Sequence, residues 1–160
     1  MSQSRISEHF VLDEVLHTEH LDHAAELLAL WNASPEIRAN VLRTAAEVLE
    51  PVRSVLRVPL RISSWLRTPG LNHAVGGRPD SRHLYGLAVD VIPTEGLDPL
   101  GALYCLMHAM RRGELPRLDK AIVEGREGAR WLHLQAAADG RVAQHLALAS
   151  EDGREFARLA

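Results

Sequence analysis

The residues best suited to chemistry fall in the stretch Ser81-Arg82-His83-Leu84-Tyr85-Gly86-Leu87-Ala88-Val89-Asp90. Asp90 lies between Val89 and Val91 in the most apolar run of the chain. An ionised carboxylate is costly to bury unless a cation or hydrogen-bond donors compensate it. In a strand, Gly86, Ala88 and Asp90 share one face, and the small residues leave room above it. His83 precedes this strand, where a turn at Gly86 can fold its imidazole back toward Asp90. A third group comes from Trp131-Leu132-His133-Leu134-Gln135, in which His133 stands mid-strand on the face opposite the leucines. Two imidazoles and one carboxylate form a common catalytic zinc set that leaves a fourth position for water. Such a water has its pKa lowered toward roughly 7. Each residue also has a plainer reading: His83 as a surface histidine, His133 as a satisfied core histidine, Asp90 as the partner of an arginine.

The elements that must position these groups are legible from periodicity and caps. Leu21 to Trp31 has apolar residues at helical spacing and ends at Asn32-Ala33-Ser34-Pro35. Ser34 is an N-cap with Pro35 at the first helical position. A helix follows from Pro35 to about Leu56, carrying Ile37, Val41, Leu42, Ala45, Val48, Leu49 and Val52 at spacings of three and four, with Pro51 kinking or dividing it. Leu60 to Trp65 alternates like a strand. Residues 66–82 hold Pro69, Gly70, Gly76, Gly77 and Pro79, which predicts a long ordered loop. Gly86 to Ile92 predicts a buried strand, and Asp98 to Arg112 a helix capped by Asp98 and stopped by Gly113. Ala121 to Val123 and Trp131 to Gln135 predict two further strands joined by a turn at Gly125 and Gly128. Arg141 to Ala149 is a weaker element, strand or helix. The whole predicts an α+β fold, a helical N-terminal part packed on a small, mostly antiparallel sheet that bears the site.

Bulk properties narrow the classes. At 160 residues the chain fits one domain, 1–160, and its 46% apolar and 24% charged content excludes a disordered chain. A net charge of −3 gives no sequence-wide reason to bind nucleic acid or an anionic membrane. Met1 to Glu8 is polar and lacks the apolar core of a signal peptide, and no stretch approaches the roughly 20 apolar residues of a membrane span. The expectation is synthesis in the cytoplasm without export by the usual route. The one cysteine, Cys105, excludes an internal disulfide; its apolar neighbours predict a buried small hydrophobe. Of the nine histidines, His9, His17, His20, His23, His73, His108 and His145 are expected at the surface.

Taken together, these residues resemble a family. Ser81 to Asp90 is similar to the S-x-H-x-x-G-x-A-x-D motif of the M15 zinc peptidases, and Trp131-Leu132-His133 to that family's W-x-H. These peptidases include D-alanyl-D-alanine carboxypeptidases and the phage endolysins that act as L-alanyl-D-glutamate peptidases. Leu49-Glu50-Pro51-Val52-Arg53 resembles L-E-P-x-R, and Ser64-Trp65-Leu66-Arg67-Thr68-Pro69 with Leu71-Asn72 resembles S-G-Y-R-S-P-x-L-N. Ala74-Val75-Gly76-Gly77 resembles A-V-G-G, and Asp119 to Glu124 resembles D-Q-x-I-x-E. The matches are collinear from about residue 37 to residue 135.

The resemblance implies a fold of the Hedgehog/DD-peptidase type and a Zn2+ held by His83, Asp90 and His133. It implies a substrate carboxylate bound by Arg67, for which a forked guanidinium is well shaped. Ser81 either donates a hydrogen bond to the substrate backbone or caps a turn. The sequence departs from the family at the general base. Many relatives place an acidic residue or histidine three positions before the last ligand, where this chain has Arg130, which cannot accept a proton. Glu124 is then the first candidate and Glu127 the second. Trp65 and Leu66 replace the usual glycine and tyrosine, and Arg82 and Lys120 stand where glutamine is common. The expected activity is hydrolysis of peptidoglycan stem peptides by a zinc metallopeptidase, with release to the cell wall as a phage-type lysin. The alternative, favoured by Arg130, is a catalytically inactive zinc-binding module in assembly or cell-wall recognition.

Overall fold

Caps and proline positions start the helices, and strand pairing then brings distant residues together. The computed structural model describes residues 4–126, 128–138 and 140–149, with the backbone of 157–158. The first part runs α1 (Leu12–Val15), a 3-10 turn (Leu21–His23), α2 (Ala24–Ala33), α3 (Pro35–Thr44), a π turn (Ala45–Leu49) and α4 (Glu50–Leu56). Then come β1 (Leu60–Ser64), α5 (Pro69–Ala74), a 3-10 turn (Arg82–Tyr85), β2 (Ala88–Pro93) and α6 (Pro99–Arg111). The chain continues through β3 (Leu118–Arg126), β4 (Ala129–Ala136), β5 (Leu146–Ala149) and β6 (Ala157–Arg158). This is the α+β architecture that the sequence predicts.

α3, α5 and α6 begin alike. Ser34 Oγ accepts the Ile37 N–H at 3.2 Å, Thr68 Oγ1 accepts that of Leu71 at 3.1 Å, and Asp98 accepts those of Leu100 and Gly101. In each case proline occupies the first helical position, where its missing N–H costs nothing. α5 corrects the expectation of a long loop over 66–82. The glycines and prolines there flank a capped helix, and Thr68-Pro69 is the same start signal as Ser34-Pro35.

The helical run is divided next to Pro51, as its ring predicts, and continues past it. Pro51 lies in the first turn of α4, directly after the π turn at Ala45–Leu49. The wider turn takes up the hydrogen bond and the space that a proline ring removes from a regular helix. Next to it, Glu50 ties down the N-terminal segment: its carboxylate accepts Ser7 Oγ–H at 2.6 Å, His9 N–H at 2.8 Å and stands 2.7 Å from His9 Nδ1.

The sheet order is β1-β2-β4-β3-β5-β6, antiparallel except where β5 runs parallel to β3. Register decides the two faces, because cross-strand partners point the same way. Val89 pairs with Leu134, Val91 with Leu132, Ala121 with Leu134 and Val123 with Leu132. That face is buried in one core with Val41, Val48, Leu49 and Val52 of the long helix and Leu103 and Leu106 of α6. The opposite face pairs Asp90 and Ile122 with His133, and Glu124 with Trp131. One face stabilises; the other is left for chemistry.

Three expectations change. Cys105 is exposed, because it shares the outward stripe of α6 with exposed Tyr104 and His108 while Leu103, Leu106 and Met107 turn inward. An apolar stretch on a half-buried helix still has an outer side. Of 141–149 only Leu146–Ala149 is a strand. Among the surface histidines, His23 is half-buried, with its Nδ1 3.1 Å from a Glu26 carboxylate oxygen.

Gly86 is not part of β2, so it does not share a strand face with Ala88 and Asp90. It sits in the left-handed region at φ 70°, and a Cβ there would stand 2.6 Å from Val41 Cγ2. Its carbonyl accepts Thr44 Oγ1–H at 3.1 Å, and the Tyr85 carbonyl accepts Asn40 Nδ2–H at 3.0 Å, so the turn is clamped to α3. Gly86→Ala combines backbone strain with overpacking and is expected to cost about 1–3 kcal/mol. Urea unfolding checks this; a wild-type midpoint would mean that the turn and α3 yield without cost.

Candidate metal centre

The turn at Gly86 folds His83 onto the sheet. His83 is 2% exposed, Asp90 5%, and both reach the same point as His133 from β4. Asp90 Oδ1 stands 3.3 Å from His83 Nε2 and 2.9 Å from His133 Nδ1, and the two nitrogens are 3.3 Å apart. Ligands on a tetrahedral zinc at about 2.0–2.1 Å are separated by about 3.3 Å. The three donors therefore fit a small divalent cation. The surroundings fit as well: His83 Nδ1–H donates to the Trp65 carbonyl at 2.7 Å, which fixes the ring and leaves the Nε2 lone pair toward the cluster.

The charges are consistent with such a centre. Burial alone would raise the Asp90 carboxyl, yet His83 and His133 hold it far below the usual carboxylate range. Asp90 is thus an anion in a nearly dry place. Burial keeps the His83 imidazole below its ordinary value, outweighing the pull of Asp90, which favours the neutral form that ligation requires. Burial would also lower His133, but its hydrogen bond to Asp90 and the charges of Asp90 and Glu124 raise it, so a bound metal must displace its proton.

The plainer reading of Asp90 is met at the same time. Arg67 Nη2–H donates to Asp90 Oδ2 at 2.6 Å, and Arg67 Nε–H to Ser64 Oγ at 2.9 Å. A carboxylate-binding role for Arg67 therefore meets a guanidinium that is already engaged through two of its three nitrogens. Arg67 nonetheless lines the groove, as do Ser81 and Arg82 on one side and Lys120 on the other. Ser81 precedes the Arg82–Tyr85 turn, and its side chain makes no capping hydrogen bond there.

Glu124 shares the face of His133, two residues along β3 from Ile122, His133's cross-strand partner. Its Oε2 accepts Trp131 Nε1–H at 3.1 Å. Burial raises its pKa and Asp90's charge adds to this, while His133, Trp131 and Arg67 offset only part. Arg130 pairs with Gly125, so strand alternation turns it to the face opposite His133. It does not line the groove. Glu127 lies outside the described residues.

Sequence reasoning missed the Trp65 carbonyl behind His83, that the arginine partner of Asp90 is Arg67 steadied by Ser64, and Asp119, which accepts Gln135 Nε2–H at 2.9 Å and Gln144 N–H at 2.7 Å. The alternation of Trp131, His133 and Gln135 was the available signal for the last, since all three face one way. The groove in front of the cluster holds about 1300 Å³ and is bounded by Gly76, Gly77, Tyr85, Trp131 and Val142 among others.

An α+β fold carries a His–Asp–His cluster that could hold a metal ion, beneath a groove with room for an extended ligand. The family model for peptidase M15 matches residues 8–113, about two-thirds of the chain, and the chain belongs to the peptidase M15 family. The matched span holds His83 and Asp90, and the fold adds His133 from β4. No curated protein matches the chain. The family is one of peptidases, so hydrolysis of a peptide is the activity class. No helix among the described residues is long and apolar enough to cross a membrane.

Proposed function

We propose that the chain is a zinc-dependent peptidase cleaving peptidoglycan stem peptides, of the D,D-carboxypeptidase or L-alanyl-D-glutamate endopeptidase type. The observation that carries this reading is the convergence of His83 Nε2, Asp90 Oδ1 and His133 Nδ1 at mutual distances of 2.9–3.3 Å on the floor of a groove. His83, Asp90 and His133 would hold the zinc. When bound, zinc supplies a Lewis acid and a water of lowered pKa. Glu124 would take a proton from the attacking water on Oε1 and return it to the leaving amine, with Trp131 fixing Oε2. Ser81 and the remaining Nη1 of Arg67 hold the peptide backbone and a substrate carboxylate. Residues 1–160 act as one unit, delivered to the wall as a phage-type lysin.

Purified protein incubated with zinc and whole peptidoglycan is expected to release amino groups. Free D-alanine marks the carboxypeptidase, and a new N-terminal D-glutamate marks the endopeptidase. No release by protein that retains its metal would favour a non-catalytic module. Arg130, where many relatives carry the base, is the feature that favours that alternative, and Glu124 is the carboxylate that would take the base's place.

A further inference from the structure

Arg67 is held at three points. Its backbone N–H donates to the His83 carbonyl at 3.2 Å, its Nε–H to Ser64 Oγ at 2.9 Å and its Nη2–H to Asp90 Oδ2 at 2.6 Å. The Arg67 side chain is 14% exposed and that of Asp90 7%, so water screens the pair little and the charge-assisted bond is strong. The other oxygen of the same carboxylate, Oδ1, faces both imidazoles. The two oxygens of Asp90 are thus divided between a guanidinium and the metal cluster.

A carboxylate beside a divalent cation can ligate through one oxygen or through both. Ligation through both would expand the coordination toward five and crowd the position that an open catalytic site keeps for water. We propose that Arg67 is a positioning residue that restricts Asp90 to one-oxygen ligation and so keeps the water position open, with Ser64 fixing the guanidinium. The inference rests on the metal-centre reading above. Swinging Oδ2 toward the ion requires breaking a charge-assisted bond in a nearly dry site. A guanidinium can hold Ser64 and Asp90 from one rigid plane; an ammonium offers a point charge without that fork. Arg67 is a cation beside a cation, so Coulomb repulsion works against metal affinity. Its contribution is to geometry.

Cobalt(II) tests this, because its visible bands are strong in four-coordinate tetrahedral fields and weaken as coordination expands. Wild type, Arg67→Ala, Arg67→Lys and Ser64→Ala are loaded with cobalt(II); absorption is recorded, and affinity is measured by chelator competition. Arg67→Ala is expected to lose band intensity severalfold while binding cobalt at least as tightly as wild type. Arg67→Lys should move the same way, and Ser64→Ala should show a smaller loss. Wild-type intensity in a metal-loaded Arg67→Ala overturns the proposal, as does an intensity loss accompanied by weaker binding, which marks a collapsed site. Should Arg67→Ala fail to fold, Ser64→Ala decides, and unchanged bands there overturn the proposal. A wild type that binds no cobalt overturns the metal-centre reading itself.

Discussion

His83→Ala and His133→Ala are each expected to abolish stoichiometric zinc. Three protein donors are the minimum set of a catalytic zinc site, and here each comes from a different element: the Arg82–Tyr85 turn, β2 and β4. No fourth His, Cys, Asp or Glu among the described residues joins the cluster to replace a lost one. Partners that only orient a ligand already cost 10–100-fold in affinity when removed, and loss of a ligand itself should exceed that. The two variants differ in a second respect. His83 is almost fully enclosed and hydrogen-bonded to the Trp65 carbonyl, so its removal also leaves a cavity and an unpaired carbonyl. His133 is less enclosed, and its loss should leave the fold nearer wild type. Elemental analysis of dialysed protein measures the outcome, with exposed His73→Ala as the control. Wild-type metal content in either ligand variant defeats the assignment.

Glu124→Gln is expected to keep its zinc and to lose about 10²–10⁴ in turnover, the range of a general acid–base contribution. Glutamine has the same shape and still offers an oxygen to Trp131 Nε1–H, so the local packing and the three metal donors stay in place. What it lacks is a group that accepts a proton. The pH profile carries the sign. As a base Glu124 must be ionised, and burial raises its pKa. Activity is therefore present above that pKa and lost as pH falls through it. The variant should lack this acid limb. Unchanged rates in Glu124→Gln would transfer the role to Glu127 or to another group.

How much of this could be read in advance depends on how local each signal is. The starts of α3 and α6 were legible because a cap and its proline lie within four residues and answer to the same backbone N–H groups. The start of α5 carried the same signal, hidden by the density of glycine and proline around it. Cys105 was misread for a related reason. Apolar neighbours in sequence say that a helix is half-buried, and only its docking decides which stripe faces water.

The sequence by itself determined the types of the site residues. An aspartate inside an apolar strand and a histidine between two leucines already demand a cation or a hydrogen-bonded network, since burial of unpaired polar groups is costly wherever it happens. Tertiary structure alone decided which atoms meet. The pairing of Asp90 with His133 across 43 positions, of Glu124 with Trp131, and of Arg67 with Asp90 follows from strand register and from the turn at Gly86. A one-residue slip of β4 would turn Trp131 and His133 to the other face, away from Glu124 and Asp90. Register is fixed by packing Val89, Val91, Leu132 and Leu134 against the helices, so the chemistry on one side of the sheet is set by the hydrophobic core on the other.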